Sequence, residues 1–152
     1  MGSEVEDYQF LYEHISDEPL KNRARVSLAY YIKQAVLYKR MWNVLSIMGI
    51  LLPAAATLCA ALGVCAGWIA AITAAITVSS GLLALFKCAD KKTSYRNSAE
   101  NLKSELSSYL NHTGAYTEDE QTNNKKLSDN VERIIREGYS KIAELDKQTK
   151  KD

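Results

Sequence analysis

Between Met41 and Phe86 the chain carries no charged side chain: all 19 lysines and arginines and all 18 aspartates and glutamates lie in residues 1–40 or 87–152. An uncharged run of this length excludes a soluble enzyme of ordinary design, because about 20 apolar residues suffice for one bilayer crossing. As one straight helix the run would measure about 69 Å, more than twice a hydrocarbon core. It must therefore fold back. Gly63-Val64-Cys65-Ala66-Gly67 is the natural break. It leaves spans over 42–62 and 68–86 that are about 31 and 28 Å long as helices. Trp42 and Trp68 each open a span, where amphipathic indoles settle at headgroup level. A connection this short makes the two spans antiparallel neighbours.

Charge then orients the hairpin. Lys21, Arg23, Arg25, Lys33, Lys39 and Arg40 precede it with no acid among residues 21–40, and Lys87, Lys91, Lys92 and Arg96 follow it against Asp90 alone. Basic flanks on both sides predict that both termini are cytoplasmic and that the uncharged tip, near residues 63–67, lies outside. The chain divides into an N-terminal cytoplasmic helix and first stalk (1–40), a transmembrane hairpin (41–86), and a second stalk with a C-terminal cytoplasmic helix (87–152). A net charge of +1 leaves no basic excess for phosphates, so nucleic acid is not an expected partner. The acidic, amphipathic opening is unlike a secretory signal. Glu6 stands where a myristoylation start wants Ser or Thr.

The flanks read as helices that continue the spans. Ala24, Leu28, Tyr31, Ala35, Tyr38 and Trp42 recur in steps of four and three; so do Tyr95, Ala99, Leu102, Leu106 and Tyr109. Leu127, Val131, Ile134, Gly138, Ile142 and Leu145 make a third series with one irregular step. Each is a helix with an apolar seam. Ser3 with Glu6 and Thr117 with Glu120 have capping-box spacing, Pro19 suits a first turn, and Asn111-His112-Thr113-Gly114 is a stop. Four helices are expected, at about 3–16, 19–62, 68–111 and 117–148. The fold class is an all-α membrane protein: an antiparallel two-helix hairpin continuing into a cytoplasmic helical bundle, homo-oligomeric. Its seams close within one chain, between chains, or both.

No catalytic constellation is visible, and flanks of 40 and 66 residues with helical pattern leave no room for a glycine-rich phosphate loop or a strand-borne triad. No enzyme activity, cofactor or metal is expected. His14 and His112 have no partner at ligand spacing. Glu118-Asp119-Glu120 reads as a first-turn acidic cluster favoured by the helix dipole. Three cysteines, Cys59, Cys65 and Cys88, suggest reduced thiols.

The spans themselves hold the candidate site. In the second, Ala70, Thr73, Thr77, Ser80 or Gly81, and Ala84 fall on one face, and Ile69, Ile72, Ile76 and Leu83 on another. The first has a comparable stripe through Ser46, Gly49, Pro53, Ala56, Ala60 and Gly63. Such stripes serve close packing of helices within the chain, or they line a water-filled pore at an oligomer axis. Thr73, Thr77 and Ser80 are the first candidates for lining, followed by Asn43, Ser46 and Thr57. Neither span contains an ionisable residue for a proton relay, and two helices cannot enclose a conduit, so a pore needs several subunits around a cyclic axis. Pro53 is either a packing kink or a gate hinge. Arg96 and Glu100, one turn apart, are expected to form a structural pair.

Around the hairpin, Tyr95-Arg96, Ala99-Glu100, Leu102-Lys103, Glu105, Tyr109-Leu110, Gly114-Ala115-Tyr116, Val131, Ile134-Ile135, and Arg25, Tyr30-Tyr31 and Arg40 make a pattern over most of the chain. In these loose motifs the chain resembles the SLATT family, the SMODS- and SLOG-associating two-transmembrane effector proteins of bacteria. The resemblance implies a bacterial inner-membrane protein that assembles into a pore and acts as an effector in conflict systems, some of them triggered by nucleotide signals. Lacking a sensor domain of its own, this chain departs from that picture, which puts nucleotide or partner triggering in doubt. The expected function is an oligomeric membrane pore or ion channel, with about four to six copies of itself, the lipid bilayer and inorganic ions as its partners. The alternative is a non-conducting, membrane-anchored helical scaffold that recruits or responds to a cytoplasmic partner.

Overall fold

A computed structural model describes residues 8–63 and 65–149, with the side chains of residues 84, 85 and 149 outside the description. Every regular element among the described residues is an α-helix. In chain order these are α1 (Phe10–Glu13), α2 (Glu18–Ala61), α3 (Ala66–Phe86), α4 (Cys88–Leu110) and α5 (Glu120–Thr149). α2 pairs with α3 over its second half and with α4 over its first, while α5 packs chiefly on α4. Two antiparallel helical arms thus run side by side, and α1 and α5 close the end away from the tip.

The local reasons are legible. α2 starts where Asp17 Oδ1 accepts from the Leu20 amide at 3.3 Å, with Pro19 in the first turn, where its missing N–H costs nothing. It runs 44 residues, about 66 Å, and ends where Gly63 takes φ +68°, a left-handed value that glycine adopts without strain. α4 ends at Asn111, after which His112 (φ 51°) and Gly114 (φ 65°) reverse the chain. α5 is capped by Asp119 rather than by the expected Thr117. Asp119 Oδ2 accepts from the Thr122 amide at 3.1 Å and Oδ1 from the Thr122 hydroxyl at 2.8 Å. These bonds hold its carboxyl below the ordinary value of 3.8. The expected cap at Ser3 and Glu6 lies outside the described residues, as does the start of the helix expected from residue 3. The described part of that helix is the single turn α1.

A second expectation is overturned. The second arm is not a continuous helix over 68–111: Lys87 breaks it with φ 43° and ψ 45°, a left-handed conformation, leaving helices of 21 and 23 residues. That conformation costs a β-carbon-bearing residue about 1–2 kcal/mol. Burial just beyond the break offsets it, with Cys88 and Lys91 almost fully enclosed.

The core occupies the stalk. Leu28, Tyr31, Ala99, Leu102, Leu106, Leu127 and Val131 are buried with Leu11, Ile15 and Tyr116, so the three seams meet within one chain. Gly138 explains the irregular step in the third seam: a β-carbon there would stand 2.7 Å from Tyr31 Oη and 2.9 Å from Ser98 Oγ. α5 can lie this close to α2 and α4 only with no side chain at that position. The α4–α5 loop is tied down by Asn123, whose Nδ2 donates to the carbonyls of Tyr116 and Glu118 at 3.3 and 2.8 Å. Tyr116 and Asn130 both donate to Glu105 Oε1, at 2.5 and 2.6 Å. Arg23 pairs with Glu132 across α2 and α5. Lys91 reaches Asp146 at 2.7 Å from a buried position.

In contrast, the uncharged halves of the arms expose their apolar residues: Ile50, Leu51, Leu58, Leu62, Trp68 and Val78 are all more than half exposed. The two arms are long and apolar enough to cross a membrane.

Candidate functional site

The two spans touch along one face each. On α2 this face runs through Leu45, Ser46, Gly49, Leu52, Ala55, Ala56 and Cys59, and on α3 through Ile69, Ile72, Ala75, Ile76, Ser79 and Leu83; these are the covered positions of otherwise exposed segments, Ser79 fully and the others in part. Spacings of three and four put each set on one side of its helix. The face of α3 that meets the first span is therefore the bulky isoleucine face. Thr73, Thr77, Ser80 and Gly81 lie outside that set and are exposed, with Ser80 at its edge, where it shares a groove with Trp42 of α2. Gly81 has open space where a β-carbon would stand. This stripe is thus largely left uncovered by its own first span.

Each described threonine on the outer faces satisfies its donor locally. Thr73 Oγ1 donates to the Ile69 carbonyl at 2.8 Å, Thr77 Oγ1 to the Thr73 carbonyl at 3.1 Å, and Thr57 Oγ1 to the Pro53 carbonyl at 3.0 Å. The hydroxyl proton is thus engaged along the helix, and the oxygen lone pairs remain on the outer surface. Bonding of this kind lowers the cost of placing hydroxyls in an apolar setting.

The first-span candidates separate. Asn43 and Thr57 are exposed, while Ser46 lies partly covered in the contact between the spans. Its stripe does not stay together either, since Ser46, Gly49 and Ala56 meet α3 whereas Pro53, Ala60 and Gly63 are exposed. α2 continues through Pro53 without interruption. The side chain of Ala84 lies outside the described residues. Ser79 was missed by sequence reasoning. It is buried and donates to the Ala75 carbonyl at 2.8 Å, and the series 69, 72, 76, 79, 83 would have found it.

At the stalk end of the spans sits a collar of aromatic and basic residues. Lys92 Nζ stands 4.5 Å from the centre of the Trp42 ring, a cation–π distance. Beneath it Tyr38 stacks on Tyr95 with centroids 5.5 Å apart, and Tyr30 and Tyr31 meet Tyr95 edge-on or tilted. Burial pushes Tyr31 up to about 12, and its hydroxyl donates to the Ile135 carbonyl at 3.3 Å. Burial likewise raises Tyr95 and the thiol of Cys88. An open groove of about 460 Å³ between Trp42, Ser80, Leu83, Lys87 and Asp90 marks the break between α3 and α4. Arg96 Nη2 lies 2.8 Å from Glu100 Oε1, and Lys103 Nζ approaches the same oxygen at 3.3 Å. That cluster belongs to the stalk, with Lys103 buried, and is remote from the threonine stripe. Among the described residues no group of three or more His, Cys, Asp or Glu side chains is arranged to hold a metal ion.

Residues 26–124, which hold both spans and the whole of α4, match the family described as Protein of unknown function (DUF4231). No curated protein and no solved structure matches the chain.

Proposed function

We propose that this chain, which belongs to the DUF4231 family, is the subunit of a homo-oligomeric membrane pore or ion channel whose lumen is lined by Thr73, Thr77 and Ser80. The observation that carries this reading is the division of the second span: its isoleucine face is used up against the first span, and its hydroxyl-bearing face is left uncovered by its own chain. A stripe of small, weakly polar residues gives lipid chains less contact than leucine or isoleucine would, whereas it allows helices of neighbouring subunits to approach closely and offers oxygen atoms to water. Four to six hairpins around a cyclic axis bring their α3 helices together and turn this face inward. The completeness of the stalk core within one chain supports the same arrangement, because the bundle then needs no partner to fold and the oligomer contacts fall to the spans and the outer stalk surface.

On this reading the protein is a member of the SLATT effectors and sits in a bacterial inner membrane with both termini in the cytoplasm, as the basic flanks predict. Pro53, with no amide proton to donate to the turn before it, is the hinge candidate of the first span.

Ion flux from liposomes containing only the purified chain tests conduction directly. Thr77→Val keeps side-chain volume and removes the hydroxyl, so conductance should fall as a dewetting barrier rises, with the oligomer intact by native mass spectrometry. Unchanged flux after Thr73→Val, Thr77→Val and Ser80→Ala together would remove this face from the pathway and leave Asn43, Ser46 and Thr57. A monomer that persists in lipid nanodiscs at high protein concentration would refute the pore itself. The scaffold reading is favoured by a different observation. An open groove of about 610 Å³ runs between α2 and α5, lined by Val26, Ile135 and Tyr139 beside Arg23 and Glu132. Absence of flux with an intact oligomer would favour it.

A further inference from the structure

A third groove lies between the stalk helices α2 and α4, immediately below the spans. It has a volume of about 370 Å³ and is lined by Val36, Lys39, Lys92, Thr93, Arg96 and Asn97, among others. Three cations and no acid line it. Such a concentration is unlike the rest of the stalk, where Lys91 is held by Asp146, Lys103 by Glu100, Lys126 by Glu118 and Arg23 by Glu132. Arg96 is engaged by Glu100 at 2.8 Å, on the side away from the spans. Lys39 and Lys92 have no ion pair among the described residues. Like charges gathered in a cleft with an apolar floor of Ala35 and Val36 repel one another unless an anion sits between them.

The height of the groove identifies the anion. Counting along the helices at 1.5 Å per residue, Lys39 lies about 4–5 Å below Trp42, and Lys92 and Arg96 about 9 and 15 Å below Phe86. The headgroup layer on one side of a bilayer is about 5–8 Å deep. The upper half of the groove therefore opens into that layer, and the Trp42 ring, clasped by Lys92 at 4.5 Å, stands at its upper edge, where indoles partition. A soluble ligand would gain nothing from this placement. A phosphodiester attached to acyl chains would set its phosphate between Lys39 and Lys92 with its tails running up beside α2 and α3.

We infer that the Lys39–Lys92–Arg96 groove is a binding site for the phosphate of an anionic phospholipid in the leaflet on the stalk side. The inference rests on the reading that the two uncharged arms span a bilayer. Lys39 and Lys92 supply the direct charge-assisted contacts, and Arg96, bonded to Glu100, adds to the field and closes the lower end of the cleft. One lipid bound per chain sits at the joint between hairpin and stalk, against α2 on one wall and α4 on the other.

The test uses the full chain in nanodiscs that mix phosphatidylcholine with phosphatidylglycerol, with retained lipids counted by native mass spectrometry. Insertion is checked separately by resistance to alkaline carbonate extraction from liposomes of the same composition. The expected result is enrichment of phosphatidylglycerol on the protein, reduced about fivefold by Lys39→Gln and about fivefold again by Lys92→Gln, the factor that follows from the worth of one cation near an anionic surface. Lys141→Gln, an exposed lysine on α5, should leave the enrichment unchanged. An inserted chain without phosphatidylglycerol preference, or one whose preference survives both substitutions, overturns the lipid site and leaves the membrane reading standing. A chain extracted by carbonate overturns the membrane reading and the site with it. If millimolar inorganic phosphate displaces the lipid as fast as it binds, the groove belongs to a soluble phosphate and the lipid assignment falls.

Discussion

Gly138→Ala adds one methyl group at the closest approach in the stalk. The new β-carbon would stand 2.7 Å from Tyr31 Oη, 2.9 Å from Ser98 Oγ and 3.3 Å from Tyr31 Cζ. Neither neighbour can step aside freely, since Tyr31 is 1% exposed and Ser98 is 6% exposed. Overpacking a well-filled site costs about 1–3 kcal/mol. Displacing the Tyr31 hydroxyl from the Ile135 carbonyl, 3.3 Å away, costs about 0.5–1.5 kcal/mol more. Against this, alanine is a better helix former than glycine by about 1 kcal/mol. The net is a loss of about 1–3 kcal/mol, which at roughly 2–4 °C per kcal/mol lowers the melting temperature by about 2–12 °C. Circular dichroism of the detergent-solubilised chain on heating reads this. A double-mutant cycle makes the reasoning refutable, because Tyr31→Phe removes the atom at 2.7 Å and should recover about 1 kcal/mol in the Gly138→Ala background, although alone it destabilises. A higher melting temperature for Gly138→Ala, or strict additivity of the two changes, would show that α5 is not held at this distance.

Two further outcomes follow from caps and thiols. Because its hydrogen bonds lower the Asp119 carboxyl below 3.8, its contribution to α5 is present above that value and is lost as pH falls through the lower folded value. Amide exchange at Thr122 should therefore accelerate, relative to mid-helix amides of α5, only in acid below about pH 4, and Asp119→Ala should remove the pH dependence. A maleimide added to the detergent-solubilised protein should modify exposed Cys65 first, partly covered Cys59 more slowly, and buried Cys88, whose thiol is raised by burial, only on unfolding. Native Cys88 is consequently a poor reporter of membrane sidedness. Ser140→Cys, exposed on α5, is the better one, and its labelling by an impermeant reagent on intact cells would contradict a cytoplasmic stalk.

The seams were legible in the sequence because spacings of three and four leave no choice of face, and Tyr31, Leu102, Leu127 and their neighbours are buried where that spacing puts them. The irregular step at Gly138 was visible, but its cause was not, since it lies in a contact with Tyr31 more than a hundred residues away. The break at Lys87 left no trace. Phe86-Lys87-Cys88 has neither Gly nor Pro, and the left-handed residue is imposed by what packs on either side. Thr117 with Glu120 satisfied the capping-box pattern, yet Asp119 is one residue before the helix and its carboxylate is the stronger acceptor for the Thr122 amide. At the candidate site the two faces of α3 were separable by sequence, but which of them met the first span was decided only by the fold. Ser79 and Ser80, adjacent in sequence, fall on opposite sides of that division.

The left-handed residue at Lys87 also reconciles two gauges. Between the spans the facing side chains are small or aliphatic, Ser46, Gly49, Ala55, Ala56, Ala75 and Ser79 interspersed among leucines and isoleucines, whereas between the stalks the rings of Tyr31, Tyr38 and Tyr95 stand in the interface. Within the range of about 8–10 Å for packed helices, axes separated by small and aliphatic residues run closer than those separated by rings. Two unbroken rods joined at the tip could not hold both spacings without splaying or bending. With α2 straight through and the return rod cut at one residue, the narrow track and the wide one each keep their own width, and the mismatch is confined to a single peptide unit at the rim.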